Sequence, residues 1–146
     1  MSTSTTLKSA VAVMMVVVVL FAGLFETGIA DTIVMANKMK INKLVGIYCH
    51  VGFKSYDYDI EQGNKTLIEL KNVGHFRDLV PPARCLGQWE EVDKEFTFVA
   101  YSESRDHNRC SNKCYMELRD LGLYGWNSTV QVWELVYKWP VHIVSN

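Results

Sequence analysis

From Ala10 to Phe25 the chain reads AVAVMMVVVVLFAGLF, unbroken apolar or small, whereas the later apolar stretches are short and interrupted. This run of 16 residues falls just under the about 17–25 that a membrane-spanning helix needs, and no basic cluster follows it. With Lys8 ahead of the run and small residues at Gly28 and Ala30 behind it, residues 1–30 are expected to be a secretory signal peptide cut after Ala30. A cut after Ala36, with Val34 and Ala36 in the small-residue positions, is the second choice.

Beyond Ala30 the pattern changes to short segments rich in β-branched and aromatic residues, separated by turn residues. LVGIYCHV (44–51) predicts a strand, and GFKSYDYD after it a connection or short edge strand. Gly63-Asn64 turns the chain into KTLIELK (65–71), a strand of imperfect alternation around Leu67. NVGHFRDLVPPAR (72–84) reads as a loop, because Pro81-Pro82 cannot sit in a central strand. CLGQW (85–89) leads through EEVD into KEFTFVAYS (94–102), the clearest alternation, with Phe96, Phe98 and Ala100 on one face. KCYMELRD (113–120) fits a strand or a helical turn, and its place after a tight polar loop favours the strand. VQVWELVYKW (130–139) predicts a last strand, with Trp133, Leu135 and Tyr137 on one face. Six to eight short strands and few helical signals predict an all-β fold, a small antiparallel β-sandwich or barrel, occupying residues 31–146 as one domain.

The formal net charge is −1, and losing the leader with Lys8 and Glu26 leaves it there. A near-neutral chain has no electrostatic footprint for nucleic acid and no basic stripe for an anionic membrane. Four cysteines, Cys49, Cys85, Cys110 and Cys114, all follow the leader. An even number behind a signal peptide implies an oxidising destination and two disulfides. The sequons Asn64-Lys65-Thr66 and Asn127-Ser128-Thr129 make Asn64 and Asn127 candidate glycosylation sites. The expectation is therefore a secreted, extracellular, disulfide-stapled glycoprotein.

The stretch RDHNRCSNKCYMELRDLG (105–122) holds the densest candidate chemistry. Zinc would need four ligands; His107, Cys110 and Cys114 offer three, with Cys49 or His50 as a fourth, but no second close pair exists. A redox dithiol wants Cys-x-x-Cys at a helix start, and this spacing is one residue longer. Structural disulfides are the expectation, with no metal and no cofactor. Four cysteines allow three connectivities. Cys49–Cys114 with Cys85–Cys110 is favoured, because closing 110 onto 114 would constrain very little chain. No nucleophile, zincin or phosphate-loop motif is present, so no enzyme is expected. Asp57 and Asp59 share one side of a possible strand, where a solvated face outweighs a glycosidase or calcium pair. Trp89, Trp126, Trp133 and Trp139 fit a core better than a sugar platform.

The order of these features resembles the plant self-incompatibility protein homologue family, whose type is the secreted stigma S-determinant of poppies. Cys49-His50 ends a strand before the Asp-bearing SYDYDIEQG (55–63), and CLGQW supplies the second cysteine with an aromatic four residues on. FTFVAYSESRD (96–106) and CSNKCYMELRDLG (110–122) are similar to the family's later strand and closing signature, and YKW to its ending. Tyr-Asp-Tyr-Asp-Ile in place of an Asp run, and Tyr115 in place of Trp after the last cysteine, are departures. The resemblance implies a small secreted β-sandwich with two disulfides. It would act as a monomeric protein ligand, recognised by a plasma-membrane receptor as in rejection of self pollen. Recognition would fall to the segments FKSYDYD (53–59), NVGHFRDLVPP (72–82) and SESRDHNR (102–109). The residues expected to carry it are Tyr56, Asp57, Asp59, His75, Arg77, Asp106 and His107. A secreted carbohydrate- or cell-wall-binding module, using Tyr124 and Trp126, is the alternative.

Overall fold

Phe96, Phe98 and Ala100 are buried while the alternating Glu95 and Thr97 are exposed, so the alternation read from the sequence sets which face of that strand meets the core. The computed structural model describes residues 30–71, 80–89 and 92–140, the last from its backbone alone at 92–94. The strands are β1 (Thr32–Asn37), β2 (Leu44–Val51), β3 (Lys54–Glu61), β4 (Lys65–Glu69), β5 (Ala83–Trp89) and β6 (Val92–Tyr101). After a single helical turn, α1 (Glu103–Asp106), come β7 (Lys113–Arg119), β8 (Gly122–Asn127) and β9 (Val132–Lys138). They form a five-stranded sheet in the order β4-β1-β7-β8-β9 and a four-stranded sheet in the order β3-β2-β5-β6. All pairings are antiparallel except β1 with β7, which is parallel.

The inner faces of both sheets supply one core. Ile33 and Met35 of β1 and Met116 and Leu118 of β7 face Ile47, Cys49, Phe96 and Phe98 of the other sheet within the same cluster of buried residues. Each large apolar side chain so buried contributes about 1.5–3 kcal/mol. Trp139 closes one end, its ring 4.8 Å from Phe96 and 5.8 Å from Trp89, its indole N–H donating to the Arg119 carbonyl at 2.6 Å. The fold is the expected all-β sandwich with two disulfides.

Several particulars differ from expectation. The disulfides are Cys49–Cys85 and Cys110–Cys114, not Cys49–Cys114 with Cys85–Cys110. Cys49 and Cys85 stand opposite each other in the β2–β5 register with Cα atoms 4.0 Å apart. Cys110 and Cys114 flank a reversal with Cα atoms 4.9 Å apart. A bridge needs Cα atoms within about 7 Å, and this proximity decides the pairing rather than the length of chain closed. β1 has no counterpart among the predicted strands, although it lies between β4 and β7. A cut after Ala36 would remove nearly all of β1. In β4 it is Ile68 that is buried and Leu67 that is 54% exposed. In β9 a register shift beside Leu123 and Tyr124 breaks the shared face: Tyr137 packs on the core while Leu135 pairs with Tyr124 and is exposed. GFKSYDYD resolves into a turn at Gly52-Phe53 and the edge strand β3.

Candidate functional site

The register places several connections at one end of the sandwich. Val51 pairs with both Lys54 and Ala83, and Ala83 with Tyr101, so the β2–β3 turn, the start of β5 and the end of β6 coincide. Thr32 pairs with both Glu69 and Lys113, bringing together the start of β1, the end of β4 and the start of β7. The Tyr56 hydroxyl donates to the Glu69 carbonyl at 3.1 Å, and the Lys54 ammonium lies 3.9 Å from the Glu69 carboxylate, joining the two sheets' ends. The β6–β7 loop (102–112) and the β8–β9 turn (128–131) cap this end.

Asp106 organises the cap. Its side chain is wholly buried. Oδ1 accepts from Arg105 Nε at 2.8 Å and from Arg109 Nη2, while Oδ2 accepts from Arg105 Nη2 at 2.8 Å and from the Ser102 backbone N–H at 2.9 Å. Arg105 also donates to the Val99 and Ala100 carbonyls at 3.1 and 2.9 Å, tying α1 to the end of β6. Arg109 is buried beside Gly125, where an added Cβ would overlap its guanidinium. Only glycine in β8 leaves that space. The Arg109 carbonyl accepts from the Ser128 amide at 3.0 Å and the Ser128 hydroxyl at 2.9 Å, and the Thr129 hydroxyl donates to the Asn108 carbonyl at 2.9 Å. The β8–β9 turn is thereby stapled to the β6–β7 loop. Asn127 shapes that turn by accepting from the Thr129 and Val130 amides at 3.0 and 3.3 Å.

What this arrangement offers chemically is a preorganised polar surface. His107 and Asn108 are exposed on it. His107 Nδ1 lies 2.9 Å from the Glu103 carbonyl; a carbonyl only accepts, so Nδ1 carries the proton and Nε2 is left to a partner. Phe53, on the neighbouring turn, is 84% exposed. Tyr101 beneath the loop is pushed up to about 12 by burial and by the carboxylates of Glu103 and Asp106. Cys110 and Cys114 are bonded to each other and offer no thiolate, and among the described residues no cluster of three metal-ligating side chains exists.

The expected site residues divide. His107 lies on the cap. Asp106 is corrected from a contact residue to an internal one, because its four hydrogen bonds all point inward. Tyr56 packs on the core, and burial raises its phenol above the ordinary tyrosine range, with Glu69 and Tyr58 adding to this. Asp57 and Asp59 are exposed on the outer face of β3. His75 and Arg77 lie outside the described residues. Asn64 is exposed in the β3–β4 turn at the opposite end, whereas Asn127 is half-buried and donates to Glu134 Oε1 at 3.0 Å. The stapled β8–β9 turn was missed; its signal was the run Asn127-Ser128-Thr129, three residues apt to bond backbone in turns.

Trp89 and Trp139 are buried. Trp126 and Trp133, both half-buried, meet 5.5 Å apart at 61°, and the Arg119 guanidinium lies 4.6 Å from the Tyr124 ring and 5.1 Å from that of Trp133. No flat row of open rings results among these residues.

The family model described as plant self-incompatibility protein S1 matches residues 32–139, from the first residue of β1 to the buried Trp139. Self-incompatibility protein S1 of Papaver rhoeas is 28% identical over 104 residues, covering 69% of this chain and 71% of that protein. No solved structure matches.

Proposed function

Because the chain belongs to the plant self-incompatibility protein S1 family, we propose that it is a secreted protein ligand of cell–cell recognition, acting in self-incompatibility or a related plant process. It works outside the cell as a monomer, without cofactor or catalysis, and its partner is a plasma-membrane receptor protein. The observation that carries this reading is the stapled cap: two connections, 102–112 and 128–131, hydrogen-bonded to each other and fixed from below by the buried Asp106. A rigid loop surface loses little entropy on binding, which is what a recognition ligand needs. The cell-wall module is the weaker reading, because the Arg119 cover on Tyr124 and the 61° angle at which Trp126 meets Trp133 keep Tyr124 and Trp126 from forming the flat pair it calls for.

The test is binding of labelled, secreted protein to plant plasma-membrane vesicles, pollen membranes among them. Saturable binding that protease treatment of the vesicles abolishes is the expected result. Binding that survives proteolysis, or follows isolated cell-wall polysaccharide instead, would contradict it.

A further inference from the structure

An open groove of about 660 Å³ is lined by residues of β1, β4, β7 and β9 together with Asp59 and Ile60 of β3, and Asn64 and Thr66 of the first sequon line it. Its floor includes Val34 and Ala36 of β1, and Tyr115 of β7 and Trp133 of β9 stand on its far side. Val34 pairs with Leu67 on one side and Tyr115 on the other, so Tyr115 stands two strand spacings, about 10 Å, from β4. The Tyr115 side of the groove is open: this residue is 45% exposed.

The charged lining is balanced, Lys38 and Lys65 against Asp59 and Glu117. Glu117 is held by Arg119 at 2.7 Å, but the side chains of Lys38, Lys65 and Asp59 make no hydrogen bond or ion pair among the described residues. An apolar floor, an open aromatic ring and free donors and acceptors of no net charge suit an uncharged polyhydroxyl ligand. The two sugars nearest the protein in an N-glycan are of this kind, N-acetylglucosamines with an apolar C–H face, an N-acetyl methyl and hydroxyl rims.

We propose that the glycan attached at Asn64 folds back into this groove, its first two sugars lying over Val34 and Ala36 with an N-acetyl group against Tyr115. The inference rests on the secreted reading, since the sugar is added in the secretory lumen. Asn64 Nδ2 donates to Glu61 Oε2 at 3.3 Å, and glycosylation leaves one N–H donor on that nitrogen. Tethering makes docking intramolecular, with an effective concentration on the order of millimolar, so a weak sugar contact is enough. Asn127 has no such setting, because it is not among the residues that line this groove.

The experiment is glycopeptide mass analysis and proton NMR of the whole protein secreted from plant cells. The expected result is an occupied Asn64, an N-acetyl methyl resonance moved upfield by a ring, and a nuclear Overhauser contact from it to Tyr115. In Tyr115→Ala, with Asn64 still occupied, that resonance returns to the free-sugar position. Thr66→Ala removes the glycan while keeping Asn64, and its Tyr115 ring signals then match those of enzymatically deglycosylated protein. A leader removed but a glycan with free-sugar shifts overturns this inference alone. A leader retained with a bare Asn64 overturns it together with the secreted reading, and a leader removed with a bare Asn64 overturns docking only.

Discussion

Asp106 accepts four hydrogen bonds inside the protein, from Ser102, twice from Arg105, and from Arg109. Breaking a buried pair by deleting one partner leaves an uncompensated charge and costs about 3–5 kcal/mol. Asp106→Ala should lose that much in denaturant unfolding, since Arg109 would remain buried beside Gly125. A loss below about 1 kcal/mol would mean that the carboxylate is not the cap's support. Tyr101 gives a pH signature. Its phenol, ordinarily near 10, stands at about 12, so the fold favours the protonated form. That contribution is whole below pH 10 and fades as pH rises from 10 to about 12. Stability should fall across this window in the parent more than in Tyr101→Phe; parallel pH profiles would contradict the assignment. Neither residue was legible in the sequence. RDHNRC is a polar run, and periodicity does not reveal a loop that folds its carboxylate inward onto a glycine far along the chain.

Strands were legible where alternation was strict. β6 alternates cleanly, and the face shared by Phe96, Phe98 and Ala100 is the inner one; β4 and β9 were read as strands without a settled inner face, because Leu67-Ile68 and Leu135-Val136 put apolar residues on both faces. β1 went unread because TIVMAN follows directly on residues 1–30, read as a leader, and was itself weighed as a cleavage region. The disulfides failed for a different reason: connectivity depends on register, and register was not available. Their contributions should differ. Restricting the unfolded chain scales with the loop closed, giving about 4 kcal/mol for the separation of 36 between Cys49 and Cys85 and about 2 for the separation of 4 between Cys110 and Cys114. Paired serine substitutions measured by denaturant unfolding should rank in that order. The reverse order would show that the small loop's geometry outweighs chain entropy.

At the scale of the molecule, the proposed leader would end where the sandwich begins, at Asp31. Its amide donates to the Asn112 carbonyl and its carbonyl accepts from the Leu70 amide, each at 2.8 Å. A chain beginning at Asp31 keeps both bonds, because a terminal ammonium still donates, and forgoes the buried Ala30 with its backbone contact to the Tyr101 phenol. Intact-mass analysis of secreted protein should therefore give a start at Asp31; a start at Asn37 would contradict the place of β1 in the sheet. The family was legible from the order of the cysteines and their neighbours. The cap was half legible: the loop that bears His107 was singled out in the sequence, but the β8–β9 turn joins it only through hydrogen bonds between segments some twenty residues apart in sequence.

The central claim is that the cap, rather than the opposite end, is the recognition surface. It is tested most directly by titrating plasma-membrane vesicles with the double variant His107→Ala with Asn108→Ala, beside Lys40→Ala at the far end as control. Both sets of side chains are exposed, so folding should be unchanged, within about 0.5 kcal/mol. The account predicts that the cap variant binds at least about tenfold more weakly, about 1.4 kcal/mol, while the control binds like the parent. Unchanged binding by the cap variant, with loss in the control, would contradict it.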